Sequence, residues 1–459
     1  MKTNFEKVDQ YIEENLNYWV DELSQLCKFQ SVSAKNLQLP ETAAFVAHLL
    51  KKRGFDIKII PTKGAPVVYA ERKGATDRTL LFYNHYDVQP PEPIALWDSD
   101  PFDLVNKDDK LFARGVSDDK GQIISRLAAV DALLQENDQI PCNIKFVIEG
   151  EEEVSSKNLK PFVEGNKELL KADACVWEFG SVNDFDQPLL YLGLRGICYV
   201  ELAVTTANQD VHSGLGGSIF PNAAWRLVWA LNSLKDEDEN ILIHNFYNDV
   251  LPASEYDVEL FRLLPNVGEI YQKRYELKQF TKGLKDGLDL NIAEAYLPTC
   301  TICGLTSGYQ GDGAKTILPA KASAKIDFRL VPDQTPEKVL HLLREHLDKM
   351  GFDDVEIKFL GGEAPAKTSS EDPFVKLVAE SATPVYGSPK LLVPMIGGSG
   401  PNHLFKENLN VPIVTAGVSY PGSQNHAPNE NIRIKDFING TKHMARIIKN
   451  FSFSENSEE

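Results

Sequence analysis

Five short segments of the chain carry residues that could do metal chemistry: His85 in TLLFYNHYDVQP, Asp118 in LFARGVSDDKG, Glu153 in NIKFVIEGEEEVSS, Glu178 in ADACVWEFG and His426 in QNHAPNE. Zinc and similar divalent ions take imidazole and carboxylate ligands, and a two-metal site needs one carboxylate that both ions share. Two histidines and three acids are a complete set for two ions with one residue shared. An unliganded carboxylate beside them would serve as general base toward an attacking water, and Glu152 adjoins Glu153 in the chain.

Each residue also has an ordinary interpretation. Asp118 suits a helix cap, and Asp119 beside it suits one equally. Glu151, Glu152 and Glu153 could form a solvated acidic turn, and their register is open by one residue. His48, His341, His346 and His443 fall in helical patterns and His244 in a loop, so they are taken as structural, with His403 undecided. Among the other motifs, GDGAKT (311–316) lacks the Gly before Lys of a phosphate loop, and no GxSxG elbow occurs.

The surrounding pattern says what must position these groups. Apolar residues at three- and four-residue spacing predict a helix over 8–26, and a second over 41–53 with Gly54 as a left-handed cap. Short β-type runs follow (FDIKII, VVYA, TLLFY, LFARG), then a helix in KGQIISRLAAVDALL and a strand in NIKFVIEG. Strands alternating with helices predict an α/β fold, a mixed sheet flanked by helices. His85, Asp118, Glu152/Glu153 and Glu178 each follow such a strand, and open α/β sheets gather ligands at the carboxyl ends of strands.

From CYVELAVT onward the strands alternate, and PNAAWRLVWALNSL and TPEKVLHLLREHLDKM predict two helices on an α+β sheet. LGGEAPAKTSSEDP is expected as the exit linker, followed by a helix in FVKLVAESATPVYG, a strand in VPIVTAG and a closing helix near 434–451. The expected organisation is a discontinuous catalytic domain over 1–195 and 366–459, with an inserted α+β domain over 196–365.

With 459 residues, two domains are a fair expectation. A net charge of −18 argues against nucleic acid or anionic membrane as partners. The opening MKTNFEKVDQ has no apolar signal-type core, and no run of about 18 apolar residues suggests a span, so a cytoplasmic location is expected. Six scattered cysteines are expected as thiols; Cys300 and Cys303 form one CxxC, with no second pair to complete a zinc site.

Taken together, NHYDVQP, RGVSDDKGQ, EGEEEVSS, DVHSGLGG, FRLVP, GGSGP and QNHAP resemble, in order and over about residues 10–450, the zinc aminoacylase, desuccinylase and carnosinase superfamily of co-catalytic metallopeptidases. The longer forms NHYDVQP and GAKTILPAKASAKIDFRLVP lean toward its dipeptidase branch, although carnosinase-like members commonly carry Asp where this chain has Glu178.

The resemblance implies two divalent ions, zinc foremost, with manganese or cobalt as alternatives. Asp118 would bridge, with His85 and Glu178 at one ion and Glu153 and His426 at the other. Glu152 would be the general base and Asp87 would orient the His85 ring. His212 would stabilise the oxyanion, in some relatives reaching a neighbouring subunit's site. Arg329 and Ser399 would hold the substrate carboxylate, and the Asp118–Asp119 peptide would be cis. The inserted domain would be a lid and the surface of a homodimer. The implied activity is hydrolysis of dipeptides or similar small peptides. An N-acyl-amino-acid deacylase is the alternative within enzymes, and a non-catalytic metal-binding or interaction protein the alternative outside them.

Overall fold

The computed structural model describes residues 4–285, 287–388 and 390–453. Contacts divide the chain into one compact unit of Met1–Gly193, Thr368–Pro394 and Leu404–Glu459, and a second of Leu194–Lys367 and Met395–His403.

The first unit is built on a six-stranded sheet in the spatial order Asp56–Ile60, Val67–Arg72, Asn143–Glu149, Thr79–His85, Ala174–Trp177, Ile413–Thr415. The first two pairings are antiparallel and the other three parallel. The central strands are buried on both faces, as their Val, Ile, Leu and Phe content requires. Helices Lys120–Asn137, Ile434–Phe451 and Pro373–Tyr386 contribute to the same core through Ile123, Leu127, Val378, Phe437 and Ile448. The fold is thus a mixed sheet flanked by helices. Parallel pairing sets four carboxyl ends side by side, with His85 in register with Glu149 and Trp177 with Thr415.

The single helix expected over 8–26 is two, Phe5–Glu14 and Leu16–Cys27. Asn15 interrupts it: its side-chain Nδ2 donates to the Tyr11 carbonyl (2.9 Å), which its own backbone N–H also reaches (3.1 Å). The strand in LFARG is only Lys110–Phe112 and belongs to a separate three-stranded sheet with Asn431–Arg433 and Val105–Lys107. Asp118 therefore does not end a strand of the main sheet. It lies in the turn that enters the Lys120–Asn137 helix, across a cis peptide to Asp119.

In the second unit, Thr301–Ser307, Lys321–Leu330, Gly196–Thr205 and Glu356–Glu363 form an antiparallel sheet in that order. Strict alternation of buried and half-buried residues along Gly196–Thr205 turns one face inward, toward helices Ala223–Leu234 and Pro336–Lys349. Three further helices, Glu255–Leu263, Gly268–Tyr275 and Leu288–Tyr296, exceed the two expected here. Their segments are rich in charge and short of apolar period. The first is capped by Ser254 at the Asp257 amide (3.1 Å), and the first and last are joined by the Tyr296 hydroxyl donating to Asp257 at 2.7 Å and by a small cluster of Phe261, Ala295, Tyr296 and Met395. That cluster also explains why Met395–His403, assigned by sequence to the first domain, groups with the second unit. Arg195 donates its backbone N–H to the Gly398 carbonyl at 2.9 Å as well. The expected linker is partly ordered as strand, since pairing with Gly196–Thr205 carries on to Glu363.

Candidate metal centre

His85 is the last residue of its strand and is buried. Its Nδ1 lies 3.0 Å from the Asp87 carbonyl oxygen and 3.4 Å from Asp87 Oδ1, and its Nε2 lies 3.0 Å from Asp118 Oδ1. On the other side of Asp118, Oδ2 lies 3.1 Å from His426 Nε2, which is also 3.2 Å from Glu153 Oε2. Asp118 therefore presents one oxygen to each imidazole. Potential ligand atoms of Asp118, Glu153 and His426 all fall within 4.8 Å of one another.

Burial alone would raise Asp118, but hydrogen bonds from His426 and His85 outweigh it and hold the carboxyl below the usual range. The reciprocal effect raises His426 to about 10, through Asp118 and then Glu153. For His85, burial works against the charged ring and is overcome by Asp118 and Asp87. A divalent cation would take the place of those shared protons, since it binds neutral imidazole and ionised carboxylate.

The acidic run separates by function of its backbone. A 3₁₀ turn over Glu152–Val154 follows the Asn143–Glu149 strand. The Asp87 carboxylate accepts the Glu152 N–H at 3.2 Å and the Glu153 N–H at 3.1 Å. Glu151 turns away and takes both oxygens to Asn158 Nδ2, at 3.0 and 2.8 Å. Glu152 is left half-buried, its carboxyl raised well above its ordinary value, first by desolvation and further by Glu153, Asp118 and Asp87, with His85 opposing. The sequence expectation for Asp87 was the His85 ring. The structure gives that contact mainly to the Asp87 carbonyl, and the carboxylate to the turn.

Glu178 follows the Ala174–Trp177 strand and is buried. Its Oε1 accepts the Trp177 indole N–H at 3.2 Å, and Oε2 is a buried oxygen without a hydrogen-bond partner. Burial, and Glu152 after it, raises its carboxyl. A buried carboxylate oxygen left unpaired is costly unless a cation completes it. That orphan, together with an all-oxygen and imidazole donor set, fits a metal at this position. The Trp177 ring that orients it stacks on Tyr83 at 3.8 Å, and Tyr83 donates its hydroxyl to Glu149 at 2.6 Å.

His212, Arg329 and Ser399 belong to the second unit. His212 caps a short helix, its Nδ1 accepting the Gly214 N–H at 3.0 Å. Arg329 Nη1 donates to Ser399 Oγ at 2.8 Å and its Nε to Asp327 at 3.1 Å, so the FRLVP and GGSGP motifs meet. His346 and His443 bond backbone carbonyls of Ser233 and Val378, and His403 lies 3.3 Å from Glu363. Cys300 is buried and Cys303 exposed, both as free thiols.

Several supporting residues escaped the sequence. Asp119 occupies the helix N-cap position but caps nothing; it accepts from Asn84 Nδ2 (2.6 Å) and the His85 N–H (3.0 Å). Burial pushes it up to about 7, against His85 and Arg126. Arg126 is fully buried and donates to the Trp177 and Glu178 carbonyls at 2.7 and 2.8 Å. Glu430 is fully buried and accepts four donors. The available signals were a lone Arg inside the apolar helix IISRLAAV and an acid four residues after His426 at the start of NIR.

Two imidazoles, one buried and one exposed, gathered with several carboxylates beside the ends of parallel strands are the arrangement of a metal-dependent hydrolase. Comparison with known proteins gives the family. Residues 81–450 match Peptidase family M20/M25/M40, and the chain belongs to it. Enzymes of this family use divalent metals, generally two. The chain is 37% identical to an M20 family metallo-carboxypeptidase from Sulfolobus solfataricus, whose structure superposes with a TM-score of 0.90 over 95% of this chain and 99% of that one. It is 30% identical to the Cys-Gly metallodipeptidase DUG1 of Saccharomyces cerevisiae, over 90% of each chain. A third relative, the probable di- and tripeptidase DUG2 of the same yeast, is 26% identical over 93% of this chain, which spans 49% of that protein's length.

Proposed function

We propose that the chain is a dipeptidase acting at the amide bond next to a free C-terminal carboxylate, with two divalent ions, zinc foremost and manganese or cobalt as alternatives. The observation that carries this is Asp118, with one oxygen toward His85 and the other toward His426, whose ring also meets Glu153. Asp118 would be shared by both ions, His85 and Glu178 would complete one, and Glu153 and His426 the other. When bound, the ions supply a water acidic enough to attack at neutral pH and polarise the scissile carbonyl.

The remaining steps fall to side chains. Glu152 takes the water's proton and returns it to the leaving amine, a role supported by its place beside Glu153 on the turn that the Asp87 carboxylate holds. Asp87 holds the turn that presents Glu152. Arg329, oriented by Ser399 and Asp327, would take the substrate carboxylate through its planar fork. His212 would steady the oxyanion. The relatives' names support the substrate class, since a carboxypeptidase and a metallodipeptidase both act beside a terminal carboxylate. The second unit would serve as lid and as the surface of a homodimer, in keeping with exposed Trp225, Trp229, Ile302 and Leu305 on its helix and edge strand. A cytoplasmic setting is in keeping with free thiols at all six cysteines; among the described residues no helix is long and apolar enough to cross a membrane.

The test is hydrolysis of dipeptides, tripeptides, C-terminally amidated dipeptides and N-acyl amino acids after chelation and reloading with zinc, manganese or cobalt. Dipeptides should be cleaved fastest and amidation should abolish cleavage. Faster cleavage of N-acyl amino acids would make the chain a deacylase. No metal uptake and no turnover with any ion would leave a silent binding protein.

A further inference from the structure

Glu430 lies where two chain segments that carry the candidate ligands come together. The Asn431–Arg433 strand pairs with Lys110–Phe112, and the Ala113 N–H donates to the Glu430 carbonyl at 3.2 Å. The side chain then reaches under the following turn. Its Oε2 accepts Arg114 Nη1 at 2.7 Å and the Gly115 N–H at 2.9 Å; its Oε1 accepts the Ser117 N–H at 2.8 Å and the Asp118 N–H at 3.0 Å.

A carboxylate with no exposure that fills its acceptor sites with four donors fixes the path of the backbone carrying them. Arg114 supplies the countercharge and is itself buried, its guanidinium 5.3 Å from the Trp97 ring centre. Four residues upstream of Glu430, His426 projects from an exposed loop with its side chain 55% accessible and its backbone at φ 61°. The loop is tied at its root, where Asn431 next to Glu430 donates its Nδ2 to the Gly422 and Asn429 carbonyls at 3.0 Å each, and through the Asn429 side chain, which accepts the Asp98 N–H at 2.9 Å and donates to the Leu96 carbonyl at 3.2 Å.

We propose that Glu430 is a positioning residue for the metal centre: it fixes the spacing between Asp118 and His426 by anchoring the Arg114–Asp118 turn to the root of the His426 loop. The inference rests on the two-metal interpretation of Asp118 and His426.

The substitution that isolates this role is Glu430→Gln, which keeps size and one acceptor but turns an amide N–H₂ toward two of the four donors. Zinc affinity of the chelated protein is read by competition with a chromophoric chelator, beside the thermal midpoint of the metal-free form. Glu430→Gln should weaken zinc binding by about 10–100-fold, the effect typical of residues that orient ligands from behind. A merely structural role would lower the metal-free midpoint and leave zinc affinity at the wild-type value, and that result overturns the proposal. If Glu430→Gln does not fold, Arg114→Met decides: it removes one donor without setting an amide against the turn, and wild-type zinc affinity there is equally fatal. Wild-type protein that takes up no zinc would fail the two-metal interpretation itself.

Discussion

Replacing Asp87 with Asn removes one charge and almost no volume, so its effect can be worked from the bonds that the carboxylate makes. Two of them hold the Glu152 and Glu153 amides at 3.2 and 3.1 Å. Hydrogen bonds to a charged group contribute about 1.5–3 kcal/mol each, and a donor left facing another donor costs about 1–3 kcal/mol. Asn keeps one acceptor and sets its N–H₂ against the second amide, for a loss of about 3–4 kcal/mol in the geometry of the Glu152 turn. At about 1.4 kcal/mol per decade this is a fall of roughly 10²–10³ in turnover. His85 should be little affected, because the Asp87 backbone carbonyl holds its Nδ1 at 3.0 Å. Steady-state hydrolysis of a dipeptide with metal content measured on the same sample should show kcat reduced, KM nearly unchanged and both metal equivalents retained. Turnover within threefold of wild type would refute the argument. So would loss of the metal held by His85, which would return Asp87 to the role of orienting the imidazole.

Arg329→Met should cost about 3 kcal/mol of charge-assisted bonding to a substrate carboxylate, or about a hundredfold in kcat/KM; the variant should also lose the discrimination against C-terminally amidated dipeptides that wild type shows in the same assay. Lys390 is buried, donates to the Leu189 carbonyl at 3.1 Å, and is pushed down to about 7 by burial. Its folded value lies below its unfolded one, so between about pH 7 and 10.5 the unfolded chain holds a proton that the folded chain does not, and stability rises with pH across that window. Lys390→Met should therefore stabilise by up to about 5 kcal/mol at pH 6.5 and by much less near pH 10, read as denaturant midpoints; an equal gain at both would contradict the assigned cause. Chelation should abolish hydrolysis, and adding back about two equivalents of zinc or manganese per chain should restore it.

Much of the fold was open to a reading of the chain because the catalytic sheet is made of runs such as TLLFY and NIKFVI, too short and too apolar for a surface helix, and the closing helix 434–451 returns Phe437, Met444, Ile447, Ile448 and Phe451 to one buried side. What stayed hidden depends on single polar atoms. Asn15 splits a helix whose periodicity runs straight through it, because the Tyr11 carbonyl has a second donor within reach. The Glu255–Leu263 and Leu288–Tyr296 helices are held by a capping serine, a small apolar cluster and the Tyr296–Asp257 hydrogen bond, too little apolar pattern to be seen in sequence. At the centre, residue types and order were enough to nominate His85, Asp118, Glu153, Glu178 and His426. They could not show that Asp118 stands at a helix entry, that Asp119 serves Asn84 and the His85 amide, or that Glu430 and Arg126 secure the backbone behind the ligands. Those roles are set by long-range pairing, such as that between strands Lys110–Phe112 and Asn431–Arg433, which no local pattern encodes.

The account stands most directly on Glu152. Glu152→Gln preserves shape and removes the proton acceptor, so metal analysis and dipeptide hydrolysis should be measured on one preparation of the variant. Two divalent ions per chain with turnover reduced by about 10²–10⁴-fold is the predicted result. Two bound ions with wild-type turnover would contradict it.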